Sequence, residues 1–527
     1  MTVVDNSTDV PTLDQPQPIA VSKRGKSEDH AWLASGSIVT LSGSLVGRAL
    51  NVGAQIVLAR LLGPAEFGLY AIGWALLQVS SLFTPLGLDN GVIHCATSYA
   101  TEDPKRLGAV VRESLILTLF FGSCIGVLTF AIAPELARHI FGKADLLLVV
   151  RLFAVGFPLA AGLKVAAAST TVSQSINYRV YAELLAQPAV NLALIVVFYI
   201  IGWRLLGATL ATVLSFGGAL VLAMWYQEKL FPHVWFHGPI VSKAVASELL
   251  RFSAAAWLGA AFVNLIPWVD RLFLGAYADS ASVGIYQAAA QASVLFGVVA
   301  GALNAVVAPR IAFLYRGSQI DRLEHVYKIV SKWVLFANVP FFLLFFAAPQ
   351  QVLAVLYGGK YANGAGPLII LSFTRLADAL VGPIGTLMIF TARQKVFAVI
   401  AGGGLALSIV LNHLLIPRFG PMGAASATAC SEAAMLVALL LVVWSTTGFW
   451  PYDRRWLKGL FAATVAAGVI FVARPMEVRP PWIGLLTTLA LGTTVFACGL
   501  VLLGLDEEDR EMIRTLKLYL LRYVRAS

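Results

Sequence analysis

The sequence has little charge, little cysteine and no familiar catalytic motif. Of its 527 residues only 13% are charged and 58% are hydrophobic, whereas about a quarter of the residues of a soluble globular protein are charged. The four cysteines are scattered, at spacings that fit neither a metal site nor a disulfide framework. There is no phosphate-binding loop and no GxSxG, HExxH or CxxC motif. We therefore expect neither a soluble domain nor an enzyme, and no cofactor.

What the sequence does contain is a series of apolar stretches of about 20 residues, the length that an α-helix needs to cross a bilayer. These stretches are too long and too continuous for the strands of an outer-membrane barrel. They predict an all-α, polytopic membrane protein with about 14 transmembrane helices. The predicted spans are 34–61, 66–86, 108–133, 146–169, 182–202, 206–226, 249–270, 283–308, 328–348, 366–391, 394–416, 422–445, 456–474 and 482–504.

The formal net charge of +10 is carried mainly by loops between the predicted spans. If the N-terminus is cytoplasmic, most lysines and arginines fall on the cytoplasmic side, as is typical of membrane proteins. This bias predicts a multi-pass protein of the cytoplasmic (inner) membrane with both termini in the cytoplasm. We interpret the positive charge as orienting the protein in the membrane and as contacting anionic membrane lipids rather than nucleic acid.

Two short motifs occur twice at one spacing. The segment around Gly68 returns at Gly284, and the segment that begins at Gly207 returns at Gly423, each 216 residues later. A shared offset indicates a duplicated unit, and many transporters are built from such repeats with the substrate path between them. The predicted organisation is a disordered cytoplasmic tail at 1–30, two six-helix bundles at 31–230 and 231–448, two additional transmembrane helices at 449–505 and an amphipathic cytoplasmic helix at 506–527.

Polar and ionisable side chains within the spans are candidates for function, because burial in lipid makes them costly unless they face a bundle interior or a water-filled cavity. In the first span Arg48, Asn51 and Gln55 share one helix face. The other candidates for binding a substrate are Arg151, Lys164, Arg251, Asn264, Arg271 and Arg375. A cavity lined by arginine and lysine suits an anionic group, above all a phosphate or diphosphate.

Several of these charged residues could instead have a purely structural role. Asp270 could neutralise Arg271, and Asp378 could neutralise Arg375 one helical turn away. Glu432 lies about ten residues into the twelfth span, where an unpaired carboxylate tends to take up a proton. Glu432 and Asp378 are therefore candidates for coupling transport to H⁺ or Na⁺, and helix packing is the alternative role for Glu432.

The motif ARLLGPAEFGLYAI at 59–72, followed by Gly87-Leu88-Asp89, resembles the N-terminal signature of the Wzx-type polysaccharide flippases. The segment DRLFLG at 270–275 with Gly284-Ile285-Tyr286 resembles the second half of that family. The resemblance implies two six-helix bundles related by a pseudo-twofold axis around a central cavity that opens alternately to each side. It also implies a lipid-linked oligosaccharide substrate, carried on a polyprenyl diphosphate and moved to the outer leaflet for O-antigen, lipopolysaccharide, capsule or exopolysaccharide synthesis.

Two alternatives remain open at this stage. A cation-coupled multidrug exporter of the same superfamily would favour an acidic cavity, whereas the deep charges here are mostly basic. A membrane polysaccharide polymerase would need larger outer loops than this sequence has. If the protein is a flippase, we expect a glycan polymerase and the glycosyltransferases of the same pathway as its partners.

Overall fold

The computed structural model describes residues 26–99, 104–171, 177–231, 243–391, 393–452, 454–473, 480–504, 506, 508–510 and 514. Within these residues the chain is mostly helical and contains no strand. Ten of the helices are long and apolar enough to cross a membrane. Two of the ten contain a pair of predicted spans each, so the protein is a polytopic all-α membrane protein, as predicted.

The helices follow the apolar stretches closely. In chain order they are α1 (Lys26–Phe83), α2 (Leu88–Tyr99), α3 (Pro104–Glu135), α4 (Leu146–Thr170), α5 (Asn177–Arg179), α6 (Gln187–Ile200), α7 (Arg204–Leu230), α8 (Lys243–Tyr277), α9 (Ser280–Ser293), α10 (Phe296–Arg316), α11 (Ile320–Ala347), α12 (Pro349–Tyr357), α13 (Ala365–Val381), α14 (Ile384–Phe390), α15 (Gln394–Thr447), α16 (Arg454–Ala473) and α17 (Pro481–Leu502). A π-helical segment, Val180–Ala186, joins α5 to α6, and a 3₁₀ helix, Gly359–Gly364, joins α12 to α13.

Glycine followed by proline divides the two longest helices. Gly63 in α1 has φ +77° and Gly420 in α15 has φ +52°, a backbone conformation that glycine adopts without steric cost. The next residue is Pro64 or Pro421, whose fixed φ suits the first position of a new helix. Each long helix is thus two spans joined by a sharp kink, at the places where the sequence predicts a turn.

Two predicted spans are interrupted, and the short helices α2, α5 and α12 were not predicted. The predicted span 283–308 is split between α9 and α10, and 366–391 is split between α13 and α14 at Gly382, whose φ is +71°. The short helices α2 and α12 fall between predicted spans. The predicted amphipathic helix at 506–527 lies almost wholly outside the described residues.

The helices pack in two sets. Helix α4 contacts α1, α3 and α7 among the N-terminal helices α1–α7, and α15 contacts α8 and α13 among the C-terminal helices α8–α15. Helices α16 and α17 pack against each other and against α11. The main contact between the two sets is that of α1 with α9, which continues into a buried core that includes Phe67, Tyr70 and Tyr286.

The contact between α1 and α9 lies on the repeat itself. A Cβ atom on Gly68 would lie 2.9 Å from the nitrogen of Gly284, and one on Gly284 would lie 3.0 Å from the nitrogen of Gly68. The flanking partners are Ser280 and Pro64, which are also 216 residues apart. The two copies of the duplicated motif therefore meet at one point, and only glycine lets the two backbones approach so closely.

Candidate functional site

Each set of helices contains a buried tyrosine–threonine pair at equivalent repeat positions. In the N-terminal set the Tyr70 and Thr212 hydroxyls are 2.9 Å apart, and Thr212 donates to the Asn191 amide oxygen at 3.2 Å. Gln55, one of the predicted site residues, is buried beside Tyr70. This N-terminal polar cluster is made of neutral groups.

In the C-terminal set the equivalent residues, Tyr286 and Thr428, both hydrogen-bond to a carboxylate. Asp270 accepts hydrogen bonds from Tyr286 at 2.5 Å and from Thr428 at 3.2 Å. It also forms an ion pair with Arg271 at 3.0 Å, and the Arg271 Nε donates to Gln287 at 2.6 Å. Both charged side chains are almost fully buried, so Arg271 is neutralised as its neighbour in sequence suggested and is not open to a substrate in this structure.

A second charged group lies on α13 and α15. The Arg375 guanidinium donates to Glu432 at 3.1 Å, rather than pairing with Asp378 as the one-turn spacing suggested. Its side chain reaches across to α15 because the favourable partner there is a carboxylate in a poorly hydrated place. Glu432 is therefore paired with Arg375 in this structure. Asp378 is exposed and has no ion pair among the described residues.

Arg48 lies between the two sets of helices. Its side chain is exposed, and Nη1 is 3.5 Å from the carbonyl oxygen of Gly297 at the start of α10. A Cβ on Gly301 would lie 2.7 Å from the same nitrogen, so the missing side chain at Gly301 provides the space for the guanidinium. Among the described residues Arg48 has no carboxylate within ion-pair distance.

Lys164, like Arg48, has no carboxylate in ion-pair contact among the described residues. Its ammonium donates to the Ser81 hydroxyl at 2.9 Å, and Glu183 attracts it from beyond ion-pair distance. Glu183 belongs to the π-helical segment, which also contacts α1 beside Arg48: a Cβ on Gly47 would lie 2.2 Å from the Leu184 carbonyl oxygen. Short π segments inside helices are frequent at functional sites.

The remaining predicted residues whose side chains are described make separate contacts. Arg151 lies over the ring of Phe130, an exposed residue of α3, at 5.0 Å. Asn51 donates to the carbonyl oxygen of Gly47 one turn before it, and Asn264 is exposed on α8. The side chain of Arg251 lies outside the described part of the chain. Of the predicted cations whose side chains are described, Arg48, Lys164 and Arg151 thus have no ion pair, and all three lie on the N-terminal helices.

The arginine-paired carboxylates Asp270 and Glu432, by contrast, belong to the C-terminal helices. Asp270, Tyr286 and Thr428 were not among the predicted site residues, although Tyr286 and Thr428 repeat Tyr70 and Thr212 at the offset of 216. That repetition is the sequence signal for them. Asp270 has Ala54 at its repeat position, so the charged cluster belongs to one copy of the repeat only.

At one end of the molecule the two sets are held together by cations that bind helix ends. Lys143 donates to the carbonyl oxygens of Gly275 and Ala278 at the C-terminus of α8, at 2.5 and 2.8 Å. Arg60 donates to Leu356 at 2.8 Å and to Val355 near the C-terminus of α12. A helix C-terminus carries partial negative charge and unpaired carbonyl groups, so it is a favourable site for a cation. We call this the closed end.

The architecture is that of a transporter built from an internal repeat. It has two long helices that are each divided by a kink, a close contact between the two copies of the repeat, and polar residues between the two helix sets. A family model described as "Polysaccharide biosynthesis protein" matches residues 57–365, and the chain belongs to this family. The match identifies the chain as a Wzx-type member, as the motifs at 59–72 and 270–286 indicated.

Individual relatives agree with the family. The chain is 26% identical to a probable flippase, AglR, of Haloferax volcanii over 60% of this chain and 68% of that protein. It is 24% identical to the lipid III flippase of Escherichia coli (strain K12) over 75% of this chain and 92% of the relative. The fold is similar to that of the lipid II flippase MurJ in an inward closed conformation, with a TM-score of 0.73, 14% identity and coverage of 91% of this chain and all of that one.

Proposed function

We propose that the protein is a flippase that moves a polyprenyl-diphosphate-linked oligosaccharide across the cytoplasmic membrane by alternating access, for the synthesis of a surface polysaccharide. Membership of the polysaccharide biosynthesis family supports this function. The observation that carries it is Arg48, an exposed guanidinium between the two helix sets with no carboxylate in contact among the described residues. A guanidinium in such a place is suited to bind the oxygens of a diphosphate in pairs.

The two helix sets have different roles in this proposal. Arg48 and Lys164 of the N-terminal helices bind the diphosphate, while Asp378 and the Arg375–Glu432 pair of the C-terminal helices respond to H⁺ or Na⁺. The two six-helix bundles rock about the contact of α1 with α9. A proton that binds Glu432 neutralises this carboxylate and leaves the positive charge of Arg375 unbalanced. The charge that faces the substrate then changes with proton binding, and this change provides the coupling.

An apolar groove is available for the lipid part of the substrate. It has a volume of about 580 Å³ and lies between α11 and α17, lined by Phe336, Pro340, Leu489 and Phe496 among others. A polyprenyl chain in such a groove stays in an apolar environment while the diphosphate occupies the polar region. Helices α16 and α17, which follow the repeated part of the chain, would thus serve the lipid tail.

The competing functions fit less well. A multidrug exporter for cations would place mainly uncompensated carboxylates in the substrate path, but Glu432 and Asp270 are each paired with an arginine. Asp378 is left as one carboxylate without an ion pair among the described residues, against the cations Arg48 and Lys164. Catalysis of sugar polymerisation would need a catalytic base beside a sugar-sized external cavity. We infer a transporter without an enzymatic step, located in the inner membrane with both termini in the cytoplasm.

The function is tested with the purified protein in proteoliposomes. A fluorescent disaccharide on a polyprenyl diphosphate is placed in both leaflets, and a membrane-impermeant reductant bleaches the outer leaflet. We expect the protected fraction to fall faster with the protein than in empty liposomes, and a cationic dye to cross no faster. Transport of the dye without movement of the lipid-linked sugar would contradict the proposal.

A further inference from the structure

A cleft at the closed end combines three cations with an unpartnered hydroxyl. Its volume is about 470 Å³, and its lining includes Arg60, Arg204, Tyr357, Gly358 and Lys360. Arg60 and Arg204 belong to the N-terminal helices, whereas the other three residues lie at the end of α12 and just beyond it. The cleft therefore lies between the two helix sets and is complete only when this end is closed.

The charge of the cleft is incompletely balanced. Arg204 pairs with Glu66 at 3.1 Å, and the Arg60 guanidinium binds two backbone carbonyl oxygens, which are neutral. Lys360 is exposed and has no ion pair among the described residues. The three cations and Glu66 together leave a formal charge of about +2 at neutral pH.

Tyr357 provides an independent sign of a missing ligand. Its side chain is only 1% exposed, and its hydroxyl has no hydrogen-bond partner within the described part of the chain. The neighbouring Tyr361, 5.9 Å away between ring centroids, uses its hydroxyl to donate to the Ala59 carbonyl oxygen at 2.8 Å. Buried hydroxyls are nearly always satisfied, so a lone one in the wall of a polar cleft points to an occupant that accepts its hydrogen bond.

We propose that this cleft is an anion site for a phosphate or diphosphate group, distinct from the region of Arg48. A diphosphate diester has two ionised oxygens, which match the formal charge of the cleft, and its oxygens accept from guanidinium, ammonium and hydroxyl donors together. The proposal rests on the proposed function, since a lipid-linked diphosphate is the substrate it invokes. The predicted topology puts Arg60, Arg204 and Lys360 on the outer side, where the diphosphate arrives after crossing.

The occupant also has a mechanical consequence. A diphosphate that contacts Arg60 or Arg204 on one side and Lys360 or Tyr357 on the other connects the two helix sets. Its binding therefore favours the closed end over an open one, because a ligand shifts a conformational equilibrium towards the state to which it binds more tightly. The same headgroup chemistry is available from an anionic phospholipid.

The test uses the full chain in phosphatidylcholine nanodiscs and inorganic pyrophosphate, with binding followed by calorimetry. We compare the wild type with Tyr357→Phe, Lys360→Ala and the double variant. Arg418→Ala is the matched control, because Arg418 is an exposed cation with no partner among the described residues and is also predicted to lie on the outer side. We expect pyrophosphate binding to weaken about tenfold or more in the double variant and to stay within twofold in the control.

Folding is monitored separately by the melting temperature. Tyr357→Phe removes an unsatisfied buried oxygen, so it should leave the melting temperature unchanged or raise it while it weakens pyrophosphate binding. Equal pyrophosphate affinity in the wild type and the double variant, or no binding by the wild type, would overturn the proposal.

A second set of nanodiscs contains phosphatidylglycerol and distinguishes the source of the anion. Loss of cleft-dependent pyrophosphate binding in these nanodiscs supports an occupant that is a phospholipid headgroup, and persistence supports a diphosphate. Failure of the anion site is distinguishable from failure of the flippase function. Cleft-dependent binding without lipid-linked sugar transport would refute only the function, and transport without such binding would refute only the site.

Discussion

Gly68 and Gly284 occupy equivalent positions of the internal repeat and touch each other across the boundary between the two helix sets. A Cβ on either residue would lie within 3.0 Å of the backbone nitrogen of the other. The duplicated unit therefore provides both partners of one close helix contact. A contact of this kind is suited to be a pivot, because it has no interdigitated side chains that must separate when the helices rotate.

Adding a methyl group at this contact should force the helices apart. In Gly68→Ala the new Cβ would lie 1.8 Å from the Ser280 carbonyl oxygen, so we expect a loss of about 3 kcal/mol in stability and loss of transport. Gly284→Ala should behave alike, since its Cβ would lie 2.0 Å from the Pro64 carbonyl oxygen. The control is Gly403→Ala, a helical position with open space around it. Wild-type melting temperature and transport in Gly68→Ala would refute the close contact.

The Arg375–Glu432 ion pair should appear as coupling in a double-mutant cycle. Arg375→Met or Glu432→Leu alone leaves a charge without its partner, which costs about 3 kcal/mol in a buried setting. We expect the double variant to be more stable than the sum of the single effects implies. Asp378→Asn is the matched comparison and should have a smaller effect, because Arg375 hydrogen-bonds Glu432 instead. Additive single effects would show that the pair does not form.

Asp506 should make the attachment of α16 and α17 sensitive to acid. Partial burial alone would raise the pKa of Asp506, but hydrogen bonds from Lys458 and Lys332 hold it below its usual value. A carboxylate with a lowered pKa stabilises the folded state above its unfolded-state pKa of about 3.9, and this stability is lost as the pH falls through the folded-state pKa.

The measurement for Asp506 is the melting temperature between pH 7 and pH 3. Asp506→Asn should melt below the wild type at pH 7, and the difference should shrink below about pH 4. Asp321→Asn, which changes an exposed carboxylate with no partner among the described residues, is the control. A difference for Asp506→Asn that stays constant over the whole range would contradict the ion-pair assignment.

Lys143 should help to keep the closed end closed. Lys143→Met removes the donor to Gly275 and Ala278, so we expect this end to open more often. Spin labels at the exposed residues Ala144 and Asn363, in a background without the native cysteines, report the separation of the two helix sets by pulsed electron resonance. A longer distance is expected in Lys143→Met and an unchanged one in Arg138→Met, which alters an exposed cation nearby. Identical distance distributions in all three proteins would contradict this role.

Much of the fold could be predicted from the sequence, because hydrophobic stretches and the breaks between them determine helices locally. Apolar stretches of membrane length predicted the long helices, and the kinks at Gly63 and Gly420 fall in the gaps between predicted spans. The interruption at Gly382 was missed, because its positive φ depends on how α13 packs: the position lies directly against Ser331 of α11.

The site was less predictable, because its contacts join distant parts of the chain. Arg60 binds carbonyl groups about 295 residues away, and Arg375 reaches 57 residues along the chain to Glu432. Spacing on one helix suggested Asp378 as the partner of Arg375. Sequence alone shows which residues are close along the chain, but not which ones are brought together by helix packing. The repeat carried more information than local spacing, because Tyr286 and Thr428 follow Tyr70 and Thr212 at its offset.

The central claim is that Arg48 binds the diphosphate of a lipid-linked sugar between the two helix sets. The most direct test is the rate of sugar transport in proteoliposomes by Arg48→Ala and Arg48→Lys, with Arg418→Ala as the control. Loss of a charged hydrogen-bond donor costs about 1.5–3 kcal/mol. We therefore predict transport at least about tenfold slower in Arg48→Ala, partial activity in Arg48→Lys and normal activity in the control. Wild-type transport by a correctly folded Arg48→Ala protein would contradict the claim.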